Sequence, residues 1–135
     1  MSTANKAATS RLYTEVSRGN LDVIDVLLAP DFVEHEIIPG LPQTRAGVRQ
    51  MFEGMRIGFP DYRIVVEDMI AEGDKVFVRA TMHGTQNGPF LEMPASGKSI
   101  TVPVADFFRF RNGLIVEHWG VSDSGSMMQQ LGSAG

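Results

Sequence analysis

The sequence DFFRFRNGLIVEHWG, residues 106–120, predicts two antiparallel strands joined by a tight turn. Its central dipeptide, Asn112-Gly113, is typical of hairpin turns, and the flanking residues are mostly β-branched or aromatic. The turn type determines which side chains meet across the strands, because a slip of one residue moves every side chain to the other face. Two registers follow from the two short loops that this dipeptide can form.

The two registers give Asp106 different partners. A two-residue loop places Asp106 opposite Trp119. A three-residue loop, with Gly113 left-handed as a bulge, pairs Asp106 with His118 instead. We favour the three-residue loop, because the alternative would set Phe108 directly against a glutamate.

In the favoured register, alternate residues of the second strand face a pocket. Val116, His118 and Gly120 point inward with Asp106, whereas Ile115, Glu117, Trp119 and Val121 point outward. A carboxylate in apolar surroundings has a tunable pKa, and a neighbouring histidine can hold the complementary protonation state. Asp106 and His118 are therefore a candidate acid–base pair. A purely structural polar contact would use the same two residues, and the sequence leaves both interpretations open.

Composition restricts the class of protein. The chain has 135 residues, which predicts one domain over residues 1–135 with a substantial core. Its net charge of −4 argues against a nucleic-acid partner. There is no cysteine and no apolar run of about 20 residues, so thiolate chemistry is excluded and no membrane segment is predicted. We expect a cytoplasmic protein.

The order of elements predicts an α+β fold, with helices first and a curved antiparallel sheet after them. Helices are predicted over residues 4–17, from an Asn20 N-cap to Pro30, over residues 45–57 after Thr44, and from Ser124 onward. Strands are predicted over residues 62–72, 75–85, 99–110 and 114–122, with residues 31–43 forming an extended segment.

Other candidate residues carry weaker signals. His35 lies between Glu34 and Glu36, and it fits either a pocket wall or a surface loop. The spacing matches no metal-binding motif, so we predict no metal site. Met51, Phe52 and Met55 recur at helical spacing, which is typical of core residues and also of a pocket wall. We assign no role to His83 or Asp123.

Several stretches together resemble one family. They are LLAPDFVEH, FPDYRIVVEDMIAEGDKV, GTQNGPFLEMPASGKSI, DFFRFRNGLIVEHW and the closing QQLG. The chain is identified on these motifs as a member of the SnoaL-like polyketide cyclase family, within the NTF2-like superfamily. The resemblance implies a cone in which a strongly curved antiparallel sheet, wrapped by N-terminal helices, encloses an internal pocket. It also implies a homodimer or a higher homo-oligomer built through the sheet.

The resemblance implies chemistry without metal or cofactor. Polyketide cyclases of this family close a ring by intramolecular aldol condensation with acid–base catalysis. Asp106 matches a family position that holds His or Asp and faces the pocket. The family usually has an aspartate after EHW that resembles the catalytic acid/base, and Gly120 stands there in this chain. The histidine of the family's GTH motif is Gln86 here.

The leading hypothesis is a cofactor-independent enzyme that acts on an apolar small molecule with a carbonyl group, as a cyclase, isomerase or hydratase. Asp106 would be the base, and His118 and His35 would donate or orient. The substrate-binding residues would be Phe32, Met51, Phe52, Met55, Gln86, Phe108, Val116 and Gly120. The alternative is a non-catalytic binding protein with the same pocket, and a third possibility is an oligomerisation module that uses the Trp119 face.

Overall fold

The computed structural model describes residues 2–132, so the predicted domain of residues 1–135 extends past the described residues at both ends. Four helices and five strands make up the fold over these described residues. In chain order they are α1 (Ser2–Ser17), α2 (Val23–Leu27), β1 (Leu28–Glu34), α3 (Arg45–Gly58), β2 (Arg63–Glu72), β3 (Lys75–Thr85), β4 (Ser99–Arg111), β5 (Leu114–Ser122) and α4 (Ser124–Gln130).

The five strands form one curved sheet in the order β1-β5-β4-β3-β2. Strands β2 to β5 pair antiparallel, as the sequence predicted. Strand β1 comes from the segment that was predicted only as extended, and it pairs with β5 in parallel. This edge pairing places Glu34 beside His118, which brings a residue from the first quarter of the chain to the C-terminal strand.

Helix α1 covers β2 and β3 with one buried stripe. Its buried residues recur every three or four positions, which is the spacing of a single helix face; they are Asn5, Thr9, Leu12, Tyr13 and Val16. The helix stops at Gly19, which adopts a left-handed conformation with φ of +84° that a residue with a side chain rarely adopts. Both the helix and its stop were predicted.

The second helix is shorter than the sequence predicted. Helix α2 begins after Asp22 rather than at an Asn20 N-cap, and the chain is extended from Leu28 onward. Pro30 lies inside the edge strand β1. An edge strand accommodates proline because its outer side needs no ladder hydrogen bond, so Pro30 does not end a helix here.

The third helix follows its predicted capping. The Thr44 side chain accepts a hydrogen bond from the backbone N–H of Gly47 at 3.3 Å, which satisfies one of the free donors of the first turn. Asp123 caps α4 in the same way through the N–H of Ser126, at 3.0 Å. This gives Asp123 the structural role that the sequence did not reveal.

The β4–β5 hairpin adopts neither of the two predicted registers. Asn112 and Gly113 both have positive φ, which produces a tight two-residue turn and pairs Arg111 with Leu114. A bulge between Arg109 and Phe110 then shifts the pairing by one residue. Beyond the bulge, each β4 residue pairs with a β5 residue that lies one position later in the chain than in a regular two-residue hairpin.

The bulge changes which side chains face the core. Asp106 lies directly opposite Gly120, and Phe108 lies opposite His118, so the predicted direct pairing of Asp106 with His118 is wrong. Ile115 and Val116 are both buried, and Ile115 belongs to the hydrophobic core. The prediction that Ile115 faces outward is therefore also wrong.

The core lies between the inner face of the sheet and the helices. Strand β3 contributes alternate residues that are fully or nearly buried: Val76, Val78, Ala80 and Met82. The core continues into α1, α2 and α3 through Leu12, Ile24 and Met55. Within residues 2–132, none of the helices has the length and apolar character needed to span a bilayer.

Candidate active site in the cavity

A cavity of about 1100 Å³ lies between the inner face of the sheet and α1 and α3. Most of its walls are apolar. The only charged groups among its described lining residues are Glu34, Glu36, Asp106 and His118, and no lysine or arginine is among them. Its mouth is marked by the exposed apolar side chains of Ile37, Ile57 and Leu91.

Asp106 is the anchor of a polar cluster in this otherwise apolar cavity. It is buried on β4, and each of its two carboxylate oxygens has a partner. Oδ2 accepts a hydrogen bond from the hydroxyl of Tyr13 on α1, and Oδ1 lies 2.8 Å from Nε2 of His118. The Asp106–His118 contact predicted from sequence is confirmed, although it runs diagonally between the strands.

His118 connects Asp106 to the edge strand. Its second ring nitrogen, Nδ1, lies 2.6 Å from Oε2 of Glu34 on β1. Burial alone lowers the pKa of His118, but the hydrogen bonds and negative charges of Asp106 and Glu34 outweigh burial and raise that pKa to about 10. At neutral pH the ring is therefore an imidazolium that donates to both carboxylates.

Tyr13, on α1, is the last member of this set of hydrogen-bonded side chains. Burial, and then the adjacent Asp106 carboxylate, raise the pKa of Tyr13 far above its ordinary value. The hydroxyl therefore keeps its proton and acts as a donor. The result is a continuous hydrogen-bonded series from Tyr13 through Asp106 and His118 to Glu34.

A third carboxylate, that of Glu36, lies next to this series. The backbone N–H of Glu36 donates to Oε2 of Glu34 at 3.0 Å, and its side chain enters the cavity. Burial raises the pKa of Glu36; the positive charge of His118 lowers it, and the negative charges of Asp106 and Glu34 raise it further. We call Tyr13, Glu34, Glu36, Asp106 and His118 the inner cluster.

Gly120 provides the space for the Glu36 carboxylate. A Cβ atom at this position would overlap Oε1 of Glu36, and it would lie 2.6 Å from Cε1 of His118 and 2.9 Å from Oδ1 of Asp106. The φ angle of Gly120 is not in the left-handed region, so its backbone alone does not require glycine. Glycine is required at this position because a side chain would occupy the space of the Glu36 carboxylate.

Three members of the inner cluster could geometrically hold a metal ion. Glu34, Glu36 and His118 each offer a ligand atom within 4.8 Å of the others. A ligating imidazole must be deprotonated at the coordinating nitrogen, whereas the two carboxylates beside His118 favour its protonated form. This chemistry fits a proton-bearing group better than a metal ligand, and the sequence prediction of no metal remains a prediction.

Most of the predicted pocket residues line the cavity. Besides Asp106 and His118, the cavity is lined by Phe32, Met51, Phe52, Met55, Phe108 and Gly120. Their role in binding a substrate stays a prediction. Met51, Phe52 and Met55 come from α3, so one face of that helix serves both the core and the cavity wall.

His35 does not belong to the cavity. Its Nε2 lies 2.7 Å from Oε2 of Glu117, and its ring stacks on Trp119 with centroids 4.6 Å apart. Glu117 also pairs with Arg109 across the strands. His35 lines a smaller pocket of about 320 Å³ together with Asp106 and Gly120, so its predicted role in donating to or orienting a substrate stays a prediction. We call His35, Arg109 and Glu117 the outer cluster.

Two further predicted pocket residues lie elsewhere. Val116 is buried at the bulge and is not among the cavity's described lining residues. Gln86 is almost fully buried in the long loop, where its amide nitrogen donates to the carbonyls of Met93 and Pro94 and its oxygen accepts from Ser96. Gln86 therefore ties the loop together and does not line the cavity.

Strand alternation contained the signal for the residues that were missed. Phe32 lines the cavity, so alternation along β1 predicts that Glu34 also faces inward. The same alternation, continued past the end of the strand, predicts His35 outward and Glu36 inward. This alternation predicts Glu34 and Glu36, rather than His35, as the residues that face the cavity. Tyr13 carried no comparable signal, because only the packing of α1 against the sheet brings it to Asp106.

These observations define a class: an α+β domain with an apolar cavity and a buried set of proton-carrying side chains. The chain belongs to the SnoaL-like polyketide cyclase family, whose model matches residues 7–131. The NTF2-like fold expected from the sequence is confirmed. No curated protein sequence matches the chain.

Solved structures agree with this assignment. IdmH, a proposed polyketide cyclase from Streptomyces antibioticus, is 32% identical with a TM-score of 0.84, over 95% of this chain and 98% of that one. TsrD from Streptomyces laurentii is 27% identical with a TM-score of 0.87, over 97% and 96%. AclR, a proposed hydroxylase from Streptomyces galilaeus, is 26% identical with a TM-score of 0.87, over 98% of both chains.

Proposed function

We propose that this protein is a cofactor-independent acid–base enzyme that acts on an apolar, carbonyl-bearing small molecule in the manner of a polyketide cyclase. Family membership and the similarity to IdmH support a cyclase-type function in general. The observation that carries the proposal is the hydrogen-bonded series from Tyr13 to Glu34, which lies in the wall of an apolar cavity.

The cavity suits a substrate of this kind. Its volume of about 1100 Å³ is at the upper end of ligand pockets, which leaves room for a molecule of several rings. Apolar walls orient such a molecule and exclude water, and this strengthens every electrostatic interaction inside. A hydrogen on carbon next to a carbonyl is acidic enough for a carboxylate to remove when the geometry is right.

The charges of the inner cluster suit proton transfer. The His118 imidazolium contacts Glu34 and Asp106 through its two ring nitrogens, and the Tyr13 hydroxyl donates to the second oxygen of Asp106. A buried set of coupled charges with shifted pKa values is typical of acid–base sites. Asp106 and His118 are proposed as the functional pair that the sequence indicated, with Tyr13 and Glu34 as their fixed partners.

Replacing Asp106 tests this function. The α-protons of 2-tetralone, an apolar bicyclic ketone, can be followed by NMR as they exchange with D₂O. We expect the wild-type protein to accelerate the exchange and Asp106→Asn to reduce the acceleration by about 100-fold, the lower range of general acid–base effects. A melting temperature close to that of the wild type would show that the variant is folded. Unchanged exchange in the folded variant would contradict the proposal.

A second candidate function is non-catalytic binding of the same class of molecule. The specific observation in its favour is that both nitrogens of His118 and both oxygens of Asp106 already have protein partners. A ligand that copurifies with the protein and is released chemically unchanged, together with no exchange of 2-tetralone above buffer, would favour this alternative.

Homo-oligomerisation through the sheet belongs to the same proposal. The outer face of the sheet exposes a group of large apolar side chains: Val65, Ile70, Phe107, Trp119 and Val121. A contiguous apolar patch on a sheet is a common interface between subunits. Light scattering should show a dimer or a larger assembly, and a monomer at high protein concentration would contradict this part of the proposal.

A further inference from the structure

We propose that Glu36 is the catalytic residue that exchanges a proton directly with the substrate, and that Asp106 and His118 position and polarise the site around it. The inference rests on the proposed acid–base function. Glu36 lines the cavity and was not among the residues predicted for the site.

Glu36 differs from the other two carboxylates of the inner cluster in its hydrogen bonding. Asp106 is engaged by Tyr13 and His118, and Glu34 is engaged by His118 and by the backbone N–H of Glu36. The Glu36 carboxylate accepts no hydrogen bond from the residues between 2 and 132. It is thus the carboxylate of the inner cluster that can take a proton without first losing a protein partner.

The position of Glu36 gives a substrate access to it. Glu36 is half-buried and lines the cavity, and the next residue along the chain, Ile37, is exposed at the mouth. Its Oε1 occupies the space that the missing side chain of Gly120 leaves open above Asp106 and His118. A molecule that enters the mouth would meet this carboxylate before it reached the more deeply buried pair.

The charges around Glu36 adjust its affinity for a proton. The groups that act on it are His118, Asp106 and Glu34, and it faces no lysine or arginine among the described cavity residues. Burial raises its pKa, so the ionised form is a stronger base than an exposed glutamate. Raised basicity in a partly buried carboxylate suits both removal and return of a proton.

The proposed step conserves atoms and electrons. An oxygen of the Glu36 carboxylate takes a proton from the carbon beside the substrate carbonyl. The electron pair of that C–H bond becomes the carbon–carbon double bond of an enolate, and the carbonyl oxygen takes the negative charge. In ring closure the enolate carbon attacks a second carbonyl carbon, and Glu36 returns its proton to the oxygen of that carbonyl. No oxidant, reductant or other co-reactant is required.

The test compares three variants in the 2-tetralone exchange assay. Glu36→Gln keeps the shape of the side chain and removes its proton affinity, so we expect exchange to fall by about 100-fold. Glu36→Asp shortens the side chain but keeps the carboxylate, so it should retain part of the activity. Glu53→Gln, the matched control on the exposed side of α3, should behave as the wild type.

A pH profile distinguishes a proton carrier from a structural residue. The wild-type rate should rise with pH as Glu36 ionises, Glu36→Asp should keep a rise at a shifted pH, and Glu36→Gln should lose it. The imidazole ¹⁵N signals of His118 should stay those of an imidazolium in Glu36→Gln, which would show that the rest of the inner cluster is intact.

The outcomes separate this inference from the function on which it rests. Near-normal exchange in Glu36→Gln, together with loss in Asp106→Asn, would overturn the role of Glu36 and leave the acid–base function standing. Wild-type protein that exchanges 2-tetralone no faster than buffer would count against the proposed function itself, and against the role of Glu36 with it.

Discussion

The two faces of the sheet carry similar residues in different surroundings. Each face has a histidine beside a glutamate: His118 with Glu34 in the inner cluster, and His35 with Glu117 in the outer cluster. The inner pair is mostly buried, and its cation is a histidine held between two carboxylates. In the outer pair the glutamate is held between a histidine and an arginine, and both partners are more accessible to solvent.

Burial and hydrogen-bond partners, more than residue type, determine the chemistry of these two clusters. Hydrogen bonds from His35 and Arg109 lower the pKa of Glu117, which keeps that carboxylate ionised and inert as a base. In the inner cluster the carboxylates outnumber the cations, and burial raises the pKa of Glu36. The inner cluster borders the cavity of about 1100 Å³, whereas His35 of the outer cluster borders a pocket of about 320 Å³.

The largest effect on stability should come from removing the inner histidine. His118→Gln leaves Asp106 and Glu34 buried without their shared cation, and breaking such a buried pair costs about 3–5 kcal/mol of unfolding free energy. His35→Gln, the same change in the outer cluster, should cost about 1 kcal/mol or less because its partners are partly exposed. Chemical denaturation at neutral pH measures both, and equal losses would contradict the distinction between the two faces.

A smaller effect should follow from removing the hydroxyl of Tyr13. Tyr13→Phe leaves one oxygen of Asp106 without its donor, and losing a hydrogen bond to a charged group costs about 2 kcal/mol. Tyr62→Phe is the matched control, because Tyr62 is equally buried and its hydroxyl has no hydrogen-bond partner among residues 2–132. Denaturation curves that coincide for the two variants would argue against the Tyr13–Asp106 bond.

The fold was largely predictable from the sequence because its signals are local. Thr44 as an N-cap, Gly19 as a helix stop and the alternating residues of β3 all depend on neighbours within a few positions. The register of the β4–β5 hairpin was harder to predict. The turn residues account for the two-residue loop, but the bulge between Arg109 and Phe110 shifts every pairing beyond it.

The site was only partly predictable because it depends on contacts between distant segments. Asp106 and His118 were found from a hairpin, and their contact survived an error in register because a bulge preserved their common face. Glu34 reaches His118 only through the parallel pairing of β1 with β5, and Tyr13 reaches Asp106 only through packing of α1. Strand alternation indicates the face on which Glu34 lies, but no local pattern shows that Glu34 contacts His118 or that Tyr13 contacts Asp106.

The protonation state of His118 is the decisive measurement, because Asp106 and Glu34 both contact this one ring. The raised pKa implies that the stability supplied by this charge is complete below pH 6.5, the ordinary pKa, and is lost as the pH rises through about 10. An NMR titration of ¹⁵N-labelled histidines should show His118 protonated on both ring nitrogens at neutral pH, with a transition near pH 10. A neutral His118 ring at pH 7, or a transition near 6.5, would contradict the account.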